Sequence, residues 1–130
     1  MKNLTSIILT LAFLACASFS VSYAKDKSWT GYLSDVGCGS GFAKKSAKVG
    51  LKDAMDHPKS CAMKASCASA GYGIYCKGKY YSFDKNGNDK ASAYLAKTNK
   101  EKGLLVEVTG SMKGNTIDVT DLKDAPGKAK

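Results

Sequence analysis

The side chains best suited to hold a metal ion are clustered in the first half of the chain. Four of them offer nitrogen or sulfur donors, a set that zinc or copper accepts: Cys38, His57, Cys61 and Cys67. His57 and Cys61 are about one helical turn apart in sequence. Asp35 is suited to orient one of these ligands through a hydrogen bond. Metal binding is therefore one hypothesis for this segment.

The same cysteines are also candidates for disulfide bonds. The chain contains five cysteines, and an even number remains if Cys16 is removed with an N-terminal signal. An even number in a small exported domain favours two disulfides. Cys61 and Cys67 would be separated by a rise of about 9 Å on one helix, which exceeds the Cα separation of about 7 Å that a disulfide tolerates.

Two pairings then remain open. If a helix over residues 58–70 folds back along the strand that follows it, Cys61 meets Cys76, because each lies about 15 Å from the turn between them. Cys38 would then pair with Cys67. We expect this connectivity and keep the swapped pairing as the alternative.

The N-terminal residues have the pattern of a cleavable export signal. A basic Lys2 precedes an apolar run over residues 7–17, and Ser22-Tyr23-Ala24 supplies the small residues that a signal peptidase reads. A membrane-spanning helix needs about 20 apolar residues, so a retained anchor is the weaker alternative. Phe13 and Leu14 fit the lipidation pattern poorly, and acylation of Cys16 is not expected. We therefore predict a signal peptide over residues 1–24 and a periplasmic or secreted protein.

The chain is strongly basic, and its charge comes from one residue type. All 20 basic residues are lysines, and the net charge is +9. Arginine is the usual residue for bidentate recognition of phosphates and bases, so its absence argues against nucleic acid as a partner. An anionic envelope polymer or a small ligand is compatible with the lysine-rich surface.

Alternating apolar and polar residues predict five strands. They cover residues 29–36, 72–76, 79–84, 104–110 and 115–120. A short helix is expected from Pro58 to Ala70, ending at Gly71, and some of residues 42–56 also fit a helix. Another helix, capped by Asn88 or Asp89, should run to Thr98.

A helix between the third and fourth of five strands is the order of an OB-like barrel. The sequence thus predicts a mostly β fold with one or two helices and a long helical insert between strands 1 and 2. A single domain would cover residues 25–120, with a polar tail over residues 121–130. A generic α+β sandwich is the alternative.

Aromatic residues beside lysines mark a second candidate binding surface. The candidate contacts are Tyr72, Tyr75, Tyr80 and Lys113. Aromatic rings on an OB-like sheet can stack on sugars or bases. Binding of a polyanion, an oligosaccharide or single-stranded DNA is thus a further alternative.

Several segments together resemble a group of small exported bacterial proteins of unknown function. The residues that carry the resemblance are the opening Trp29-Thr30-Gly31-Tyr32-Leu33-Ser34-Asp35-Val36-Gly37-Cys38, then His57 with Cys61 and Cys67, the segment Tyr80-Tyr81-Ser82-Phe83-Asp84, and the closing Gly114-Asn115-Thr116-Ile117-Asp118-Val119. The later cysteines are more widely spaced than is usual in that group, and Cys76 is additional. The resemblance implies export and an OB-like barrel.

No catalytic motif is present in the sequence. It lacks a Gly-x-Ser-x-Gly elbow, a Cys-x-x-Cys redox pair and a Cys-x-x-Cys-His haem motif. We therefore expect no enzymatic activity and no cofactor. The leading interpretation is an exported, disulfide-stabilised binding or envelope-associated module, with metal binding and polyanion binding as alternatives.

Overall fold

The computed structural model describes residues 25–127. The expected signal sequence with Cys16, and residues 128–130, lie outside that range. The strands are β1 (Lys27–Asp35), β2 (Tyr72–Cys76), β3 (Lys79–Phe83), β4 (Leu105–Lys113) and β5 (Thr116–Asp124). The helices are α1 (Val36–Ala43), α2 (Ala47–Asp56), α3 (Lys59–Ala62), α4 (Ala65–Ala70) and α5 (Lys85–Lys97). Helices are thus more numerous than expected.

The five strands form one mixed sheet that closes on itself. Their order around the barrel is β1-β2-β3-β5-β4, and β4 pairs with β1. Four of the pairings are antiparallel, whereas β3 and β5 run parallel. The predicted five-stranded sheet with helical additions is present, but within residues 25–127 the helices cover slightly more residues than the strands, so one or two helices was too few.

The β2–β3 hairpin is formed as predicted. Cys76 lies opposite Lys79 in the register, so Lys77 and Gly78 are the two turn residues. Their φ angles are 50° and 81°, as a two-residue type I′ turn requires, and this turn matches the twist of the flanking strands.

The β4–β5 hairpin supplies much of the core. The predicted inward-facing residues are buried: Leu104, Val106, Val108, Ile117 and Val119.

β5 continues through residues 121–124, which were expected to belong to a C-terminal tail because they are polar. The backbone N–H of Ala125 donates to Leu105 at 3.1 Å. The tail boundary at 121 is therefore wrong, because pairing with β4 satisfies the backbone of this polar segment.

A single helix over residues 58–70 does not form. α3 ends at Ala62, and α4 begins only after Lys64, whose ψ of 139° is extended. Ala62 is fully buried, and its carbonyl accepts a hydrogen bond from the Tyr72 hydroxyl at 3.2 Å. Packing of α3 against the barrel therefore interrupts a segment whose local sequence favours one helix.

The cap of α5 also differs from the prediction. The helix begins at Lys85, and Oδ1 of Asp84 accepts hydrogen bonds from the N–H groups of Gly87 at 2.9 Å and Val119 at 3.0 Å. Asn88, expected as a cap, instead accepts a hydrogen bond from the Tyr72 N–H at 2.7 Å. Asp84 thus begins the helix and fastens it to β5.

Two apolar clusters hold the fold together. The larger fills the barrel and is closed by Ala91 and Leu95 of α5. The smaller joins Phe42, Ala54 and Tyr75, and so packs α1 and α2 against β2. Within residues 25–127, no helix is both long enough and apolar enough to cross a bilayer.

Candidate metal centre

Asp35 lies where the first strand turns into the helical insert. It is the last residue of β1 and the N-cap of α1, and its Oδ2 accepts a hydrogen bond from the Cys38 N–H at 3.1 Å. Aspartate is a preferred N-cap because its carboxylate satisfies N–H groups that the helix leaves free. This cap places the Cys38 side chain in the first helical turn, next to the carboxylate.

His57 is positioned by the end of α2 and by the proline after it. It is the C-cap of α2, with an extended conformation of φ −63° and ψ 118°. Pro58 disfavours a helical conformation in the residue before it, so α2 ends here. The His57 ring packs edge-on against Phe42 with centroids 5.6 Å apart. Its Nε2 lies 3.3 Å from Oδ1 of Asp35.

Cys61 reaches the same place from α3. This short helix is anchored at Lys59, whose N–H donates to the Glu101 carbonyl at 2.8 Å and whose Nζ donates to the Thr98 carbonyl at 3.0 Å. His57 and Cys61 therefore meet without sharing a helical turn, because His57 and Pro58 are extended and only Cys61 lies in α3.

Four side chains from three segments therefore converge. One ligand atom from each of Asp35, Cys38, His57 and Cys61 lies within 4.8 Å of the other three. Three of these residues belong to the predicted metal set. Asp35, expected only to orient a ligand, takes the place of Cys67 in this group, and Cys67 lies next to Asp35 and Cys61 at its edge.

The centre contains buried polar atoms without protein partners. Asp35 is 2% exposed and His57 is 6% exposed. Oδ1 of Asp35 and Nε2 of His57 face each other at 3.3 Å, but within residues 25–127 neither these two atoms nor Nδ1 of His57 makes a hydrogen bond of good geometry. An unsatisfied buried polar group costs about 1–3 kcal/mol. A ligand that bonds to several of these atoms at once would remove that cost.

The charges of the centre favour a cation. Burial lowers the pKa of His57, against the opposing effect of Asp35, so its imidazole is neutral at pH 7 and has a free lone pair. Burial, followed by the charge of Asp35, raises the pKa of Cys38 to about 11. Within the described chain, no lysine forms an ion pair with Asp35. A divalent cation would compensate the carboxylate and stabilise the thiolates.

The distance between the nitrogen donor of His57 and the oxygen donor of Asp35 fits a tetrahedrally coordinated ion. With Zn–N and Zn–O bonds of about 2.0–2.2 Å, a tetrahedral edge between nitrogen and oxygen is about 3.4 Å. The distance from Nε2 of His57 to Oδ1 of Asp35 is 3.3 Å. The two atoms therefore need little movement to share an ion.

The predicted disulfides are not formed. Cys38, Cys61, Cys67 and Cys76, which are all the cysteines in residues 25–127, are free thiols. The Cys61–Cys76 and Cys38–Cys67 pairings are thus corrected, and the swapped pairing is absent as well. The expected pairings assumed that one helix over residues 58–70 folds back along β2. That helix does not form, because the helical conformation is interrupted after Ala62. Cys76 packs against the barrel core instead.

The residues of the predicted aromatic contact surface do not form one exposed face. Tyr72 and Tyr75 are only 4% and 2% exposed. The Tyr80 hydroxyl donates to the Ser34 carbonyl at 3.1 Å, and its burial raises the tyrosine pKa. Lys113 forms an ion pair with Asp118 at the β4–β5 turn. Most of the aromatic surface of these residues therefore contributes to packing.

Comparisons with protein-family models, with curated proteins and with solved structures gave no significant match to this chain. The candidate centre thus rests on its own geometry.

The sequence analysis gave Asp35 only an orienting role, although its spacing from Cys38 indicated that the two side chains lie together. An aspartate that follows a strand and precedes a cysteine by three residues has the spacing of an N-cap, which places the two side chains together.

Proposed function

We propose that this protein binds one zinc ion through Asp35, Cys38, His57 and Cys61, and that the ion fastens the helical insert to the barrel. The observation that carries the proposal is the convergence of four donor side chains within 4.8 Å. Two of them, Asp35 and His57, are buried and hold polar atoms without protein partners.

The donor set favours zinc over copper. Two thiolates, one imidazole and one carboxylate are all ordinary zinc ligands. Cu(I) prefers soft thiolate or thioether donors, and a carboxylate is a poor ligand for it. The carboxylate of Asp35 therefore makes zinc a better fit to this site than copper.

The role is structural rather than catalytic. Four protein ligands complete the tetrahedral coordination of zinc, whereas catalytic sites keep one position open for water or substrate. The ligands come from the end of β1, the start of α1, the end of α2 and α3. One ion would therefore cross-link the successive segments of the insert to the end of β1, which is the role the sequence assigned to disulfides.

The proposed context is an exported module with an OB-like barrel. The β1-β2-β3-β5-β4 order, the parallel β3–β5 pair and the position of α5 between β3 and β4 support the barrel type. The N-terminal sequence pattern supports export. In an oxidising compartment, bound zinc would also hold the two thiolates away from disulfide exchange.

The direct test is metal content and thiol protection. Protein purified anaerobically with a reductant should bind one equivalent of zinc by elemental analysis. Two of its thiols should then resist a thiol reagent until a chelator is added. Cobalt in place of zinc should give thiolate-to-metal charge-transfer absorption. Absence of stoichiometric binding, or a thiol pair released by reductant but not by chelator, would contradict the proposal.

Two matched variants separate this ligand set from the one expected from sequence. Asp35→Asn keeps a good N-cap but removes the charged donor, and it should weaken zinc binding by at least about tenfold. Cys67→Ser should bind zinc as the wild type does. The reverse result would assign the site to Cys67 and exclude Asp35. Cys76→Ser serves as a control for loss of a thiol elsewhere.

A further inference from the structure

A large groove lies between α2 and the barrel, and the zinc centre does not use it. Its volume is about 840 Å³, which is within the range of small-molecule binding sites. Residues of β1, the end of β2 and the segment before β4 form its floor, and α2 forms one wall. The groove thus has the size of a ligand site but no role so far.

The inner surface of the groove is mainly apolar. Leu51 and Met55 stand one turn apart on α2, and each is 44% exposed. Tyr32, Tyr75 and Leu105 line the barrel side. Large apolar side chains that remain exposed on adjacent turns and face a concave surface mark an interaction site more strongly than isolated ones. The flexible thioether of Met55 can adapt to ligands of different shape.

Three lysines and one carboxylate line the groove, and the carboxylate, Asp56, is paired with Lys52 at 2.6 Å. Lys77 and Lys102 line it, and neither forms an ion pair within residues 25–127. Lys77 is held in the left-handed conformation of the hairpin turn. Lys100 also lines the groove, but Asp124 binds its ammonium at 2.7 Å. The two unpaired ammonium groups are therefore available to an anionic group.

We propose that this groove binds a single-chain amphiphile with an anionic head group, such as a fatty acid. The hydrocarbon chain would lie against Leu51, Met55 and Leu105, and the head group would be held by Lys77 and Lys102. The apolar walls offer few hydrogen-bonding groups to a polar ligand, and the free charges have one sign. Both features match a ligand with an apolar tail and a negative end.

The test compares two amphiphiles of equal chain length and opposite charge. Isothermal titration calorimetry is run with laurate and with dodecyltrimethylammonium, both below their critical micelle concentrations. Laurate should bind saturably with one site and more tightly than the cation. Equal affinities would overturn the charge argument, and absence of saturable laurate binding would overturn the proposal. Lauryl phosphate then distinguishes carboxylate from phosphate head groups, either of which is an anionic amphiphile.

Paired variants locate the site. Lys77→Ala with Lys102→Ala should weaken laurate binding about 3- to 10-fold, as expected for two exposed ion pairs. Lys48→Ala with Lys64→Ala makes the same charge change at exposed positions outside the groove and should leave binding unchanged. Equal effects of the two pairs would mean that only net charge matters and would overturn the site.

Met55→Asp should weaken laurate binding by about tenfold or more, because it places a charge against the hydrocarbon chain. Val49→Asp is the matched control, since Val49 is also exposed on α2, at 47%, but does not line the groove. Melting temperatures confirm that both variants fold.

Sedimentation measurements test whether a second copy of the chain occupies the groove instead. A dimer that Met55→Asp dissociates, without laurate binding by the wild type, would assign the groove to a second copy of the chain and overturn the proposal.

Discussion

Oδ1 of Asp35 lies 3.3 Å from Nε2 of His57, while Oδ2 of the same carboxylate caps α1 through the Cys38 N–H. One side chain thus orients a helix and presents a donor atom to a residue from another segment. The structural role of Asp35 thereby fixes the geometry of the metal centre.

The first prediction concerns the stability of Asp35→Asn with and without zinc. Without metal, the variant should be more stable than the wild type, because it removes a buried charge whose Oδ1 has no hydrogen-bond partner. With zinc at 100 times its dissociation constant, the wild type should gain about 2.7 kcal/mol, and the variant much less. Urea denaturation with chelator and with zinc measures both changes.

The zinc-dependent increase in the free energy of unfolding of the wild type should disappear when excess chelator is added. A similar zinc-dependent gain in Asp35→Asn and wild type would show that the carboxylate is not a ligand.

The second prediction concerns two glycines of α1. A Cβ on Gly39 would overlap the Tyr80 ring and lie 2.6 Å from Oγ of Ser34. Gly39→Ala should therefore destabilise the fold by about 1–3 kcal/mol. On Gly41, a Cβ would meet no atom within 4 Å, so Gly41→Ala should stabilise the protein by about 0.5–1 kcal/mol. Thermal denaturation of both variants checks this. Equal effects would mean that α1 does not pack closely on Tyr80.

The third prediction tests the cap of α5. Asp84→Ala leaves the N–H groups of Gly87 and Val119 without their carboxylate partner, and it should cost about 2 kcal/mol. Asp89→Ala removes only an exposed ion pair with Lys85 and should cost less than about 0.5 kcal/mol. Chemical denaturation compares the two. A larger loss in Asp89→Ala would place the helix start where the sequence suggests it.

The fourth prediction is a pH dependence at the C-terminal end of β5. Asp124 accepts hydrogen bonds from Lys100 and Tyr94, each at 2.7 Å. Lys100 first, and then Tyr94, lowers the pKa of the Asp124 carboxyl below its usual value of 3.8. A carboxyl with a lowered pKa in the folded state contributes stability above its unfolded pKa, and this is lost as the pH falls through the folded value.

The substitution Asp124→Asn replaces this carboxyl with an amide that does not titrate. The stability difference between wild type and variant should therefore be constant above about pH 4 and shrink below it. Urea midpoints between pH 2 and pH 7 measure this difference. A difference that persists unchanged at pH 2 would show that the carboxylate charge does not matter.

Local patterns predicted the elements whose structure depends on neighbouring residues. The Lys77-Gly78 dipeptide between two aromatic runs predicts the β2–β3 hairpin, because the left-handed turn is a property of the dipeptide. Alternation over residues 104–110 and 115–120 predicts the buried faces of β4 and β5. The sequence also groups His57 with Cys61, but through a shared helical turn that does not form, because His57 and Pro58 are extended and α3 begins only at Lys59.

Other features depend on contacts between distant residues, and no periodicity records these. Residues 121–124 look like a polar tail until β4 pairs with them. Oδ1 of Asp84, which caps α5, also accepts a hydrogen bond from the Val119 N–H of β5, 35 residues away. The break after Ala62 arises because Tyr72 and the barrel hold α3 in place.

The sequence by itself determined a small β domain with an inserted helical segment, and it identified cysteines and a histidine that suit a metal. Only the tertiary structure decided which donors meet. Asp35 joins Cys38, His57 and Cys61 within 4.8 Å, while Cys67 lies beside Asp35 and Cys61 without belonging to that group. The physical reason is that donor types are local properties of residues, whereas a distance of a few ångströms between β1 and α3 depends on how the barrel closes and where the insert packs on it.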